Sequence, residues 1–340
     1  MFIKNHWYAV EFGHRVAQGP VLVRIHGHNH IVLWRSRDRV VNAWSDVCVH
    51  RGCSLASGAV VDNCLQCPYH GWRYAPNGIC VKIPANSKGV PIPENARIHV
   101  YPCLERYGFI WVFLGDLPTE QAPPLPELDG LEPRREVRAK GCKPVFGDFT
   151  WKASHERVLE NGLDISHAPF VHSGSFGNPD HPEIPDFDLD VTRRDGHMVS
   201  VTASVDLESV PPSGFWRLIS RRDHPRVPTT VGFYPPNVSM LIVRLPLGTL
   251  RLFSAAVPLT EHTTVSKFFM VRSFFTGAWA DGDAQRRAYK IFLEDQPIVE
   301  SLRPPLLPPE PSAELHVKSD AVQLAYRRWR QEQLVKGWVL

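Results

Sequence analysis

The chain reads as an α+β protein of two domains, an all-β N-terminal part followed by a part in which an antiparallel sheet is flanked by helices. Three observations predict this. Short strands broken by turns occupy the first 114 residues or so, a proline-rich stretch GDLPTEQAPPLPELDG follows, and a strand-rich region from about 195 to 275 lies between two helical segments. With 340 residues, 43% of them hydrophobic, the chain is long enough for a large core and for two domains rather than one. The proline-rich stretch suits an extended connection, so the boundary is placed near residue 120, giving domains 1–120 and 121–340.

In the first domain, VLVRIHGHNHIVLWRS alternates apolar residues on both sides of Gly27 and Asn29 and reads as a hairpin. Its alternating His26, His28 and His30 invite a metal reading, but an exposed hairpin tip with no other ligand type nearby is the better account. The informative stretch is Cys48 to Tyr74, CVHRGCSLASGAVVDNCLQCPYHGWRY. It holds Cys48-x-His50 and, sixteen residues later, Cys67-x-x-His70. Two thiolates and two imidazoles in mixed boxes divide over two metals as the ligand set of a Rieske [2Fe-2S] centre, where imidazoles lower the negative charge and raise the reduction potential. Structural zinc is the rival, yet its usual pattern pairs Cys with Cys and His with His. Gly52, Gly71 and Trp72 beside the boxes favour the cluster, since small residues let amides turn toward sulfur and an indole shields against water. Cys64 and Cys80 read as packing residues. Strands ARIHVYPCLE and YGFIWVFLG, with a turn near Arg106 to Gly108, complete the domain.

The second domain opens with WKASHERVLENGLDISHAPFVH, which favours helix from Lys152 to about His167, with Pro169 expected to end it near Ala168. Asn161, Asp164 and His167 then share one helix face, and His172 lies just past the break. Two histidines and a carboxylate with open positions form the facial triad of non-haem Fe(II) oxygenases, although Asp164 and His167 also fit a plain surface pair. The strands GHMVSVTASVDL, TTVGFYPPNVSMLIVRL, LRLFSAAVPL and VSKFFMVRSFF would build a sheet whose covered side makes an apolar pocket. AQRRAYKIFLEDQPIVESL reads as a further helix carrying Glu294, Asp295 and Glu300. In the last helix, SDAVQLAYRRWRQEQL, Arg327, Arg328 and Arg330 read as a solvated face.

The strings CVHRG and CPYHGWRY resemble the Rieske domain of the Rieske non-haem iron oxygenases. Respiratory-type Rieske proteins carry an extra disulfide-forming cysteine in each box; Cys53 stands at the first place but Tyr69 at the second, which favours the oxygenase branch. Asn161, Asp164, His167 and His172 likewise resemble that family's Asn-x-x-Asp-x-x-His-x4-His signature. The resemblance implies a helix-grip-like catalytic domain, with His167 and His172 binding iron and Asp164 bridging an iron-ligand histidine to a cluster histidine of the neighbouring subunit in a head-to-tail homotrimer. LEDQPIVES resembles the family's late helix, which makes Asp295 the remaining iron ligand; spacing alone does not separate it from Glu294. The closing helix resembles that of the hydroxylating and demethylating subgroup.

The implied activity is hydroxylation or oxidative O- or N-demethylation of a small aromatic or heterocyclic substrate, using O2 and electrons from a flavin and iron-sulfur NAD(P)H reductase. Ring cis-dihydroxylation is the alternative, and an electron carrier without oxygenase chemistry the second. A formal charge of +3 gives no reason to expect nucleic acid or a membrane surface as partner. No apolar run approaches the roughly 18 residues of a membrane span. Seven cysteines, an odd number, behind an N-terminus that reads as no secretory signal suggest a reduced cytoplasmic setting.

Overall fold

The computed structural model describes residues 1–26, 30–131, 143–173, 175–209 and 226–340. The chain divides into two compact units, one built mainly from Phe2–Ala122 and the other from Pro123–Leu131 together with Arg138–Val339.

The first unit is all β. β1 (His6–Phe12), β11 (Phe109–Leu114) and β10 (Cys103–Arg106) form one sheet; β2 (Val21–Val23), β3 (Ile31–Arg35), β4 (Val41–Ser45) and β9 (Val100–Tyr101) form a second. A third sheet runs β5 (Ala59–Val61), β6 (Cys64–Gln66), β7 (Arg73–Tyr74), β8 (Cys80–Lys82). β2 and β3 pair antiparallel with Val21 opposite Leu33, as a hairpin requires; its expected bend at Gly27 and Asn29, with His28, lies outside the described residues. The runs IVLWR and VNAWS are buried along almost their whole length, and Trp34 meets Trp44 edge to face at 4.8 Å. That aromatic pair belongs to a core cluster with Leu55, Leu65 and Tyr74 that also takes in Cys48 and Cys67, so the second sheet and the two ligand loops share one packed interior.

The second unit carries a seven-stranded antiparallel sheet in the order β12 (Lys143–Trp151), β18 (Thr263–Arg272), β17 (Gly248–Thr260), β16 (Val238–Leu245), β15 (Arg226–Tyr234), β14 (His197–Glu208), β13 (Leu189–Arg194). Strand alternation buries one face of β14, where Val199, Val201, Ala203 and Val205 recur at every second position. Among the described residues four α-helices accompany it: α1 (His155–Leu163), α2 (Ala168–Val171), α3 (Asp281–Ser301) and α4 (Ala321–Val335). α1 packs across β15 to β18, α3 on β12, and α4 on β14 and β15. Among the described residues no helix is long and apolar enough to cross a membrane.

Two expectations from the sequence are corrected. The helix expected from Lys152 to His167 is shorter, and Pro169 does not end it. Ser154 caps α1 by accepting from the Arg157 amide, and the helix stops at Asp164, whose Oδ1 accepts from the backbone N and the hydroxyl of Ser166 at 2.7 and 2.8 Å. A carboxylate that captures the amide two residues on competes directly with the helix ladder. Pro169 instead begins α2, where its fixed φ and missing N–H are tolerated.

The second correction concerns α4. Arg327 and Arg330 are 3% and 1% exposed, while Arg328 alone of the three remains at the surface. Arg327 pairs with Glu160 of α1, at 3.0 Å between Nη2 and Oε2, and with Glu314; Arg157 reaches Glu314 at 2.7 Å and Glu160 at 3.3 Å. Arg330 Nε stands 2.7 Å from Glu156 Oε1. The acids that neutralise these arginines come from another helix and from the connection after α3, which a pattern read along α4 alone does not reveal.

That connection is the proline-rich run at 304–311. Prolines have no N–H to satisfy, so the segment offers carbonyls: those of Pro304, Pro305 and Pro308 accept from Arg157, Ser154 and Arg330. Burial works to raise the Glu314 carboxyl, but hydrogen bonds from Arg157 and Arg327 outweigh it and hold it at about 2. A depressed carboxyl contributes stability that is present above its unfolded value of 4.5 and lost as pH falls toward about 2. Arg327→Ala is expected to lower unfolding free energy by about 3 kcal/mol by leaving Glu160, which is buried, and Glu314 to share the single cation Arg157, and to flatten the acid limb between those values; an unchanged denaturation midpoint and acid limb would refute the ion cluster's role.

Candidate functional site

The two ligand loops of the first unit are built alike. In the first, the Cys48 amide donates to the Cys53 carbonyl and the Gly52 amide to the Cys48 carbonyl; in the second, Cys67 donates to Trp72 and Gly71 to Cys67. Each loop needs a residue with positive φ four places after its cysteine, and each has glycine there, at 74° and 69°. The cysteines point inward, both 2% exposed, whereas the His50 and His70 rings lie 4.6 Å apart toward the surface. Trp72 stacks on His50 at 4.5 Å and 8°, so the indole braces an imidazole. The Tyr74 hydroxyl lies 3.2 Å from Cys48 Sγ. Burial first of all pushes the Cys48 thiol up, and burial with His70 and Arg51 pushes the His50 imidazole down. Imidazoles outside and buried sulfurs inside fit a cluster that takes thiolates on one iron and imidazoles on the other. Among the described residues the cysteines are free, Cys53 included, and Tyr69 is exposed.

In the second unit, the break at Asp164 and the single turn of α2 return the chain so that His167 and His172 face each other. Their Nε2 atoms are 3.2 Å apart, and Asp295 Oδ1 from the middle of α3 stands 3.4 Å from His167 Nε2 and 3.2 Å from His172 Nε2. An octahedral face with bonds of about 2.2 Å has edges of about 3.1 Å, which this triangle matches. The donors are half-buried or buried, and Asp295 Oδ1 has no hydrogen-bond donor. Burial tends to raise the Asp295 carboxyl, but the two imidazoles hold it below the usual carboxylate range. An orphaned buried oxygen and two nitrogens aimed at one point are what a divalent metal would satisfy.

Glu294, the neighbour that spacing alone left in contention, points elsewhere: its Oε2 is 2.8 Å from His172 Nδ1. Asp164 Oδ2 lies 3.9 Å from His167 Nδ1, a nitrogen that is buried without a partner. Asn161 and Asp164 sit on a thin wall. On one side is a cavity of about 290 Å³, lined by the three donors and by apolar side chains of α1, α3 and the sheet such as Leu159, Val231, Met240, Leu252 and Phe292. On the other is a hollow of about 240 Å³ that Asp164 and His167 share with Glu314, His316 and Arg327.

Known proteins with both halves of this arrangement place the chain. A Rieske [2Fe-2S] domain model matches residues 6–102, and a vanillate O-demethylase oxygenase C-terminal domain model matches residues 151–336, more than half of the chain. The chain belongs to the Rieske non-haem iron oxygenases. Methylxanthine N1-demethylase NdmA of Pseudomonas putida is 29% identical over 97% of this chain and 89% of its own. The structure of Pseudomonas putida CBB5 NdmA with caffeine superposes with a TM-score of 0.77 at 25% identity, covering 98% of this chain and 92% of that one. Dicamba monooxygenase bound to 3,6-dichlorosalicylic acid shares the fold, with a TM-score of 0.78 over 99% of both chains at 20% identity. As an oxygenase of this family the protein carries a Rieske [2Fe-2S] cluster and a mononuclear iron and carries out oxidative hydroxylation or demethylation; the family acts with a reductase and O2 on small substrates.

Sequence reasoning named ligand candidates that the structure brings together in two sites, but it did not find the side chains that contact them there. Tyr74 on Cys48, Glu294 and Ser175 around His172, and the cavity lining all depend on contacts between distant segments. Only the box strings themselves, with their glycines, carried a local signal. The loops differ in one testable way. A methyl group on Gly52 would meet nothing within 4 Å, whereas one on Gly71 would come 3.1 Å from Pro84 Cγ. Gly52→Ala should cost about 1 kcal/mol of backbone strain, and Gly71→Ala more than that. Thermal unfolding of the cluster-loaded protein, followed by loss of cluster absorbance, checks the order; equal midpoints would show that Pro84 simply gives way.

Proposed function

We propose that His167, His172 and Asp295 hold the mononuclear iron, that Cys48, His50, Cys67 and His70 hold the cluster, and that the oxygenase removes a methyl group from, or hydroxylates, a small aromatic or heterocyclic substrate. The observation that carries this reading is the donor triangle set into the wall of an apolar cavity. A cavity of about 290 Å³ with such a lining suits a compact ring held by burial of its faces and its methyl groups. The names of the relatives, a methylxanthine N1-demethylase and a dicamba monooxygenase, support ring substrates.

Iron at this site supplies O2 activation, and the chain supplies geometry and dryness. The sheet residues and Leu159 would exclude water from the reacting methyl group, and the three donors would hold the iron while leaving positions open toward the cavity. The overall balance is one O2, one NAD(P)H and one proton consumed per methyl group released. The products are the demethylated compound, formaldehyde, water and NAD(P)+. Electrons are proposed to come from a flavin and iron-sulfur reductase, and to reach this iron from the cluster of a neighbouring copy in a homotrimer. The unpartnered His167 Nδ1, the Asp164 carboxylate beside it and the hollow outside them support that route. The free cysteines suit a cytoplasmic location.

With a flavin and iron-sulfur reductase and NADH, a panel of O- and N-methylated ring compounds should yield formaldehyde in step with O2 uptake. His167→Ala should drop bound iron from three to two per chain, keep both labile sulfides and abolish formaldehyde. Three irons remaining in that variant would overturn the ligand assignment. Asp164→Asn should retain all the iron but slow turnover about 10- to 100-fold by breaking the bridge. Normal turnover in Asp164→Asn would remove Asp164 from the electron route.

A further inference from the structure

The two proposed iron-ligand histidines are held very differently. His172 is 2% exposed, and its Nδ1 lies 2.8 Å from Glu294 Oε2. The other carboxylate oxygen of Glu294 accepts from the Ser175 hydroxyl at 2.7 Å and lies 3.5 Å from Lys290 Nζ. Phe176 stacks on the face of the same imidazole at 4.9 Å and 30°. The ring is thus fixed on its edge by a carboxylate and on its face by an aromatic. Among the described residues His167 has no equivalent on Nδ1, which is buried without a hydrogen-bond partner.

A carboxylate only accepts, so the nitrogen facing Glu294 must carry the proton. Neutral His172 is therefore locked as the Nδ1–H tautomer, with the Nε2 lone pair directed at Asp295 and His167. We infer that Glu294 is a positioning residue: together with Ser175 it sets the tautomer and orientation of His172 and thereby the metal affinity of the site. Adjacent residues on a helix project about 100° apart. That rotation lets Asp295 occupy the triangle while Glu294 passes behind His172, so one turn of α3 provides both a donor and the brace of another donor. The carboxylate also makes the bound imidazole more electron-rich, which His167 lacks from any side chain of its own unit.

This inference rests on His172 being a metal ligand, and its test separates the two claims. The cluster-loaded protein, freed of mononuclear iron, is titrated anaerobically with Co(II), and binding is read from visible absorption. Glu294→Ala should weaken Co(II) binding about 10- to 100-fold and shift the cobalt bands, with the cluster spectrum and thermal midpoint unchanged. Glu294→Gln, which keeps an accepting oxygen and the side-chain shape, should recover much of that loss and guards against a misfolded alanine variant. A Glu294→Ala protein that binds Co(II) as the parent does, with the same bands, while His172→Ala loses the metal, would overturn the brace and leave the ligand assignment standing. Unchanged Co(II) binding in His172→Ala would overturn both.

Discussion

A carboxylate oxygen and two imidazole nitrogens are gathered within 3.4 Å of one another, largely out of water. Among the described residues Asp295 Oδ1 has no hydrogen-bond donor, and the two imidazoles hold its carboxyl below the usual carboxylate range. The scaffold must therefore fix all three side chains at one point, where a divalent metal would take them together. Much of the second unit can be understood as meeting that requirement. His167 and His172 flank a helix of one turn and so have little freedom to separate, while Asp295 is anchored in the middle of a helix of 21 residues packed on β12.

What keeps those helices in register is a second buried charge system behind the first. Arg157 and Glu160 of α1, Glu314 of the connection after α3 and Arg327 of α4 form a closed set of ion pairs, and the proline-rich run before Glu314 adds hydrogen bonds through its carbonyls. Removing one member of such a set leaves an uncompensated buried charge, a far larger penalty than the pair's own net contribution. The same residues line the hollow outside Asp164, so the ion set both braces α1 and shapes the surface next to the His167, His172 and Asp295 triangle.

How much of this could be read from the chain follows from how local each signal is. Both cluster boxes were legible because each loop carries its thiolate, its imidazole and its positive-φ glycine within five residues. His167 and His172 were legible for the same reason. The helix end was not: the 3.6-residue period continues through Asp164, and only the side chain's capture of Ser166 shows that the ladder stops there. Asp295 and Glu294 are equally acidic and adjacent, and only the packing of α3 against α2 decides which one enters the triangle. Arg327 and Arg330 looked solvated because their partners lie up to 174 residues away in sequence. The cavity lining depends on which face of four strands turns inward, a property of sheet register across the whole unit.

The broken helix has a consequence that a continuous one would not. On an unbroken helix Asp164 and His167 would project on the same side and face the same hollow. Because α1 ends at Asp164, the His167 ring instead stands in the wall between two spaces, its Nε2 at the donor triangle and its Nδ1 toward Asp164 and the outer hollow. An imidazole is well suited to that position, since its two nitrogens are conjugated and polarisation at one is felt at the other. The cavity and the outer hollow are thus kept apart by a thin wall of Asn161, Asp164 and His167. His172, braced by Glu294 and Phe176, is fixed, while His167 is the one donor whose second nitrogen remains open to a partner from outside the cavity. In the proposed arrangement this division lets the apolar cavity stay dry on one side while charge reaches the same iron from the other.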